Sequence, residues 1–264
     1  MKLIKVKTSQ GCLGRNIGTE KAPDAVVKAL EKCWSNEDRA IPNFNVEEAK
    51  VISSNLEETF KNIESKSKEA FSKGERVFFI GGDHSIGYST VKGFAKNFEN
   101  PGIIVFDAHP DCFKTEGCDI NTHEDYLWHL IKEGIIKGEN VILLGARNAD
   151  PKEWQFLKEN RVNVFSMNYI LNNREKVCDT VMETARGFGA MFLSIDIDAV
   201  DPAFAPGTGC AEPGGLTSRE LIYFLQRLKL LRNFKGGDLT EINPDKDIDG
   251  MTVKLGAKIL TELA

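Results

Sequence analysis

Four short segments of this chain place carboxylates and imidazoles directly after apolar, β-branched runs, where an enzyme built on a parallel sheet keeps its chemistry. The run 76–80 is followed by Gly81-Gly82-Asp83-His84-Ser85, and the run 102–106 by Asp107-Ala108-His109-Pro110-Asp111. The run 191–195 leads into Asp196-Ile197-Asp198-Ala199-Val200-Asp201-Pro202, and the weaker run 234–239 into Thr240-Glu241-Ile242-Asn243-Pro244. In extended chain alternate residues share a face. Asp107, His109 and Asp111 are therefore expected to point one way, about 7 Å apart per pair, and Asp196 and Asp198 likewise. Asp107, Asp111, Asp196 and Asp198 crowd negative charge at the ends of buried strands, and no lysine or arginine stands within either cluster. Buried carboxylates in that number stay ionised only beside positive charge, which divalent metal ions would supply.

Oxygen-dominated ligation with a minority of imidazole favours Mn²⁺, whereas Zn²⁺ prefers more nitrogen and sulfur. Two such ions about 3.5–4 Å apart acidify water enough to make a nucleophile at neutral pH. The expected chemistry is metal-assisted hydrolysis. The same crowding implies that, without metal, removing either Asp107 or Asp196 relieves repulsion and stabilises the fold. Asp83 reads equally well as a helix cap or turn former, and Asp201 before Pro202 as a turn residue. His84 alone, or D-x-H-x-D alone, carries little weight; the further D-x-D at a third strand end specifies a metal centre.

The elements that must position these groups follow from hydrophobic periodicity. Strands are expected at 76–80, 102–106, 141–144, 162–165, 191–195 and 234–239, with an alternating first strand at the N-terminus. Helical patterns fall near 22–34, 56–73, 85–98, 124–137, 151–160, 173–187, 217–231 and 248–262, and Thr217 with Glu220 forms a capping box. Strands that are apolar throughout, alternating with amphipathic helices, indicate a parallel sheet covered on both faces. The net charge of −5 gives no electrostatic reason to expect nucleic acid or an anionic membrane as partner. No apolar run approaches the roughly 18 residues of a spanning helix. The N-terminus has no signal-peptide pattern, so a cytoplasmic location is expected. Six cysteines without a C-x-x-C pair are expected to be free thiols.

Taken together, these segments resemble the signatures of the ureohydrolases, the arginase and agmatinase superfamily. Gly-Gly-Asp-His-Ser at 81–85, Asp-Ala-His-Pro-Asp at 107–111 and Ser-Ile-Asp-Ile-Asp-Ala-Val-Asp-Pro at 194–202 carry the likeness. Ala205-Pro206-Gly207-Thr208-Gly209, Pro213-Gly214-Gly215-Leu216-Thr217 and the stretches 18–26 and 237–244 support it, in the superfamily's order along nearly the whole chain. The resemblance implies a single domain over 1–264, a three-layer α/β/α sandwich with a mostly parallel sheet of about eight strands. It implies that His84, Asp107, Asp111 and Asp196 hold one manganese and that His109, Asp107, Asp196 and Asp198 hold another, with Asp107 and Asp196 bridging. Glu241 would pair with a substrate guanidinium, and His123 would pass protons to the leaving amine, Asp111 being counted with them among the catalytic groups. A small guanidino substrate and a homo-oligomer, trimer or hexamer, belong to the same implication.

Substrate choice turns on a few departures. Asp111 is followed by Cys112-Phe113, where arginases typically carry an isoleucine and an asparagine whose amide helps bind the amino-acid carboxylate. Glu-Asp-Tyr follows His123 where many relatives have glycine. Conversely, Arg147-Asn148-Ala149-Asp150-Pro151 resembles the arginase stretch whose second aspartate reads the α-amino group. Phe113 and Asp150 together favour agmatine or a similar guanidinoalkyl amine. The alternatives are an arginase or formimidoylglutamase acting on an amino acid, and a non-catalytic ligand-binding or regulatory member. A phosphoesterase would want basic residues for its phosphate, and a deacetylase of related fold would want adjacent histidines; the clusters contain neither.

Overall fold

In the computed structural model, which describes every residue of the chain except 115, 116, 118 and 119, eight strands form one parallel sheet. They are β1 (Lys2–Lys5), β2 (Asn45–Glu48), β3 (Val77–Ile80), β4 (Pro101–Phe106), β5 (Val141–Leu144), β6 (Asn163–Phe165), β7 (Ala190–Asp196) and β8 (Phe234–Thr240). The helices are α1 (Ala22–Leu30), α2 (Leu56–Phe71), α3 (Ile86–Ala95), α4 (Tyr126–Lys132), α5 (Pro151–Glu159), α6 (Met167–Arg186), α7 (Ser218–Leu228) and α8 (Met251–Leu263). The sheet order is β2-β1-β3-β8-β7-β4-β5-β6.

Strand alternation sorts the apolar side chains into two cores. Leu3, Phe78, Ile80, Ile104, Phe106, Leu193 and Ile195 face one way and pack with residues of α1, α6, α7 and α8. Ile4, Val77, Phe79, Ile103, Val105 and Phe192 face the other way, against α2, α3, α4 and α5. The three-layer α/β/α sandwich is thus built from strands buried on both sides. Helix limits follow local chemistry. The Thr217–Glu220 capping box forms at the start of α7, Glu220 N–H donating to Thr217 Oγ1 at 3.1 Å and Thr217 N–H to Glu220 Oε2 at 2.8 Å. Helix α6 begins at Met167, capped by Ser166, and Asn173, where the sequence pattern began, is its one non-helical residue (φ −139°). The polar strand β2 was not expected at all.

Strands β3, β8, β7 and β4 are contiguous, so the four acidic segments after them share one rim of the sheet. From β4 the chain winds outward to β5 and β6, then returns to β7 beside β4 and runs the opposite way to β8; such a reversal between neighbouring strands opens a crevice at their carboxyl ends. A close backbone approach fixes one side of it. A Cβ on Gly82 would stand 1.8 Å from the carbonyl oxygen of Thr8. Gly82→Ala is therefore expected to cost about 3 kcal/mol or more, since the obstacle is backbone. Denaturant unfolding checks it, and an unchanged midpoint would refute the clash.

Candidate metal centre and active site

The acidic segments converge, although not by strand alternation. Strand β4 ends at Phe106, and Asp111 adopts a left-handed conformation (φ +47°) that turns its carboxylate back under the rim. Strand β7 ends at Asp196, and Ile197–Ala199 form a 3₁₀ turn in which Asp198 N–H donates to Asp196 Oδ1 at 2.8 Å. Turns, rather than extended chain, gather the ligands.

Two groups result. Ligand atoms of His84, Asp107, Asp111 and Asp196 lie within 4.8 Å of one another, as do those of Asp107, His109 and Asp198. His84 Nδ1 stands 3.1 Å from Asp107 Oδ2, 3.0 Å from Asp111 Oδ2 and 3.2 Å from Asp196 Oδ2. His109 Nδ1 stands 3.0 Å from Asp198 Oδ2 and 3.7 Å from Asp107 Oδ1. Asp107 belongs to both groups; Asp196 stands in the first, its other oxygen held by the Asp198 amide. Asp107 Oδ2 and His84 Nδ1 are buried and make no hydrogen bond among the described residues. Buried polar atoms left in that state need an explanation, and a hard cation shared between them provides one. The donor set, carboxylate oxygen with two imidazoles, fits divalent ions of the manganese type.

Charge within the cluster is resolved differently from the sequence expectation. Burial, reinforced by repulsion from Asp107, pushes Asp111 up to about 7, and burial with Asp198 and Asp107 pushes Asp196 well above the usual carboxylate range. Asp198 is raised by burial and by Asp107. Burial opposes ionisation of Asp107 as well, yet His109 and His84 outweigh it and hold this carboxyl below its ordinary value. Burial likewise disfavours the imidazolium of His109, but Asp107 and Asp198 raise it on balance; His84 is raised despite burial, with Asp107, Asp111 and Asp196 around it. In the metal-free protein the two histidines are therefore the cations, and Asp107 is the anion between them. The Arg147 guanidinium donates instead to the carbonyls of Asp198 at 2.7 Å and Glu212 at 2.6 Å, bracing the 3₁₀ turn from behind.

Glu241 and His123 stand beside the centre. Glu241 is buried in a left-handed conformation (φ +64°), its N–H on the carbonyl of Gly82 at 2.9 Å. Its Oε1 accepts the His84 N–H at 2.7 Å and its Oε2 accepts Asn16 Nδ2 at 2.5 Å. Strained, fully supported backbone of this kind concentrates at functional sites. His123 Nδ1 lies 3.5 Å from Glu241 Oε1, and its Nε2 is buried without a partner. Burial raises the Glu241 carboxyl, but His123, Asn16 and the His84 amide together bring it below its ordinary value.

A cavity of about 370 Å³ opens over these groups, within the size range of small-molecule sites. Asp111, Phe113, His123, Asp150 and Glu241 line it, with Glu124 of the segment after His123, as do residues that no motif marks: Arg15, Asn16, Glu153, Cys210 and Glu212. Arg15 pairs with Glu124. Asn16 stands two residues before the stretch at 18–26 that carries part of the resemblance. Burial pushes the Cys210 thiol up to about 11, which keeps it protonated at neutral pH. Asp83 and Asp201 are structural: Asp83 accepts the amides of Gly11 and Ser85, and Asp201 those of Ala203, Gly214 and Gly215. Among the described residues Cys12, Cys33, Cys112, Cys178 and Cys210 are free, whereas Cys118 lies outside them.

A model of the arginase family matches residues 3–264. The chain belongs to the arginase family. Among arginase-family relatives, an arginase of Staphylococcus aureus (strain COL) is 30% identical over 276 aligned positions, covering 93% of this chain and 91% of that protein. An arginase of strain MRSA252 is 34% identical over 195 residues, 69% of this chain and 65% of its own length. The formimidoylglutamase of Bacillus subtilis superposes with a TM-score of 0.93 at 25% identity, over 99% of this chain and 85% of that one. The arginase of Bacillus subtilis gives 0.88 at 27%, over 99% and 97% of the two chains. The proclavaminate amidino hydrolase of Streptomyces clavuligerus gives 0.91 at 25%, over 99% and 89%.

Proposed function

We propose that this arginase-family protein is a binuclear manganese hydrolase that cleaves a linear C–N bond of a guanidino compound and releases urea, with agmatine or a similar guanidinoalkyl amine as substrate. The observation that carries this reading is the pair of buried, unbonded atoms, His84 Nδ1 and Asp107 Oδ2, facing each other beneath a cavity that also exposes Glu241 and His123. His84, Asp107, Asp111 and Asp196 would hold one ion, and Asp107, His109 and Asp198, completed by Asp196, the other. When bound, such ions supply a water acid enough to attack at neutral pH.

The chain's own residues do the rest. Glu241, held ionised by its three donors, receives the guanidinium and orients the carbon that water attacks. Water's oxygen bonds to that carbon, the bond to the alkyl nitrogen breaks, and His123 delivers the proton that the leaving amine needs. Asp111, on the cavity wall and within the His84 group, would accept the proton shed by the water. Half of the residues that line the cavity are acidic: Glu124, Asp150, Glu153 and Glu212 join the centre there, and the guanidinium of Arg15 is paired to Glu124. An amine-tailed substrate suits that field. Asp150 caps α5 through Oδ1, which accepts the Lys152 N–H at 2.8 Å, and its carboxylate still faces the cavity to meet a distal ammonium. The reading treats the whole chain as one catalytic domain and includes, from family membership, a cytoplasmic homo-oligomer.

One observation favours a second reading. Lys152 Nζ lies 5.8 Å over the Phe113 ring, where it would meet a substrate carboxylate and favour arginine. Urea release measured with both substrates on manganese-loaded protein decides between them. The expected result is a higher kcat/KM for agmatine, with Asp150→Asn raising KM for agmatine while kcat changes little, because asparagine keeps the helix cap. A preference for arginine that Lys152→Ala abolishes would establish the second reading instead.

A further inference from the structure

A line of buried hydrogen bonds runs away from the candidate metal centre on the side opposite the cavity. His84 presents Nδ1 to Asp107, Asp111 and Asp196, and its other ring nitrogen, Nε2, lies 2.9 Å from Ser194 Oγ. Ser194 Oγ donates to Asp238 Oδ1 at 2.7 Å, and Thr90 Oγ1 donates to Asp238 Oδ2 at 2.6 Å. His84, Ser194, Asp238 and Thr90 are all fully buried or nearly so, and they come from the β3–α3 turn, β7, β8 and α3.

The direction of these bonds follows from their chemistry. Asp238 as a carboxylate only accepts, so both hydroxyl protons point towards it. Ser194 has one proton, already given to Asp238, so toward His84 it only accepts. Nε2 must then carry a proton, and the remaining nitrogen, Nδ1, is the one left with a lone pair in the neutral ring. The same ring is fixed from its face by Tyr126, whose centroid lies 4.3 Å away. Among the described residues nothing comparable supports His109. Its Nε2 faces Glu212 Oε1 at 3.5 Å at the edge of the cavity, and it is part-exposed.

We infer that Ser194 and Asp238 are positioning residues: they hold His84 with Nε2 protonated and Nδ1 turned to Asp107, Asp111 and Asp196 as the nitrogen left to bind an ion, and they govern retention of the ion in the His84 group while leaving the His109 group alone. The inference rests on the reading of these two groups as metal sites. Partners of this kind are worth roughly 10–100-fold in metal affinity.

Manganese titration of metal-free protein by calorimetry, with ion content counted after desalting, tests it. Wild type is expected to retain two ions. Ser194→Ala and Asp238→Asn are each expected to weaken one of them by roughly 10–100-fold and leave the other unchanged. Thr90→Val, which removes only the far support of Asp238, is expected to have a smaller effect on the same ion. The thermal midpoint of the metal-free proteins separates positioning from mere packing, because a purely structural role would lower that midpoint and shift both ions alike. Equal weakening of both ions, or no weakening in Ser194→Ala, overturns the proposal while the metal reading stands. A folded wild type that takes up no manganese overturns both.

Discussion

Asp107→Asn and Asp196→Asn are each expected to reduce turnover by about a thousandfold or more, because each takes a ligand from a centre whose charge stabilisation is worth several kcal/mol. Both should also lower the melting temperature of manganese-loaded protein, since binding energy gained only by the folded state is lost. Without metal the two substitutions are expected to part company. Burial, Asp198 and Asp107 push the Asp196 carboxyl up, so neutralising it relieves a group that resists ionisation. Burial opposes Asp107 too, but His109 and His84 overcome it, so removing this charge strips both imidazolium ions of their common partner. Metal-free Asp196→Asn should therefore melt a few degrees above wild type and Asp107→Asn a few degrees below, a degree-scale shift that corresponds to about 1 kcal/mol or more. Scanning calorimetry on the stripped proteins reads it directly. Shifts of the same sign in both variants would contradict this division of charge.

Glu241→Gln should be nearly as damaging without touching a ligand. The carboxylate accepts from the His84 amide and from Asn16, and it faces His123. A glutamine side chain has a single acceptor oxygen, so one of the two donors would meet an NH₂ group in a buried site, and a bound guanidinium would have no anion beside it. Removing one partner of a buried charge pair costs about 2–5 kcal/mol, so kcat/KM should fall by about 30-fold to a few thousand-fold. Manganese content should remain at the wild-type level. A variant within threefold of wild type would show that the guanidinium is recognised elsewhere.

Much of this was legible in the residues, and the exceptions have physical causes. Strands β3, β4, β5 and β7 were readable because both of their faces are buried, which makes them apolar over most of their length. Strand β2 was not, because Asn45–Glu48 pairs on one side only, with β1, and stays largely exposed, so it carries no apolar signature. The ligand identities were readable from the coincidence of motifs, yet the expected cause of their convergence was not the one observed. Extended-chain alternation was the simplest geometry, whereas a left-handed Asp111 and a 3₁₀ turn at Ile197–Ala199 bring the groups together. The metal-free charge balance was misjudged because the count weighed only lysine and arginine; burial among carboxylates turns His84 and His109 into the missing cations. Asp238 stood in plain view, three residues before Glu241, but its partners lie in β7 and α3 and no spacing along the chain announces them.

The position of β8 in the sheet bears on how the chain comes into being. Of the eight strands it is the last to be synthesised, yet it lies between β3 and β7 rather than at an edge. Until residues 234–240 emerge, β2-β1-β3 and β7-β4-β5-β6 are two separate ribbons, each with an inner edge of unpaired amides and carbonyls and apolar faces on either side. Such edges invite pairing with other chains. Synthesis therefore passes through an interval in which every ligand has been made but His84, after β3, stands apart from the groups after β4 and β7, and the insertion of a single strand closes the sheet, completes the rim with Glu241 and ends the exposure at one stroke.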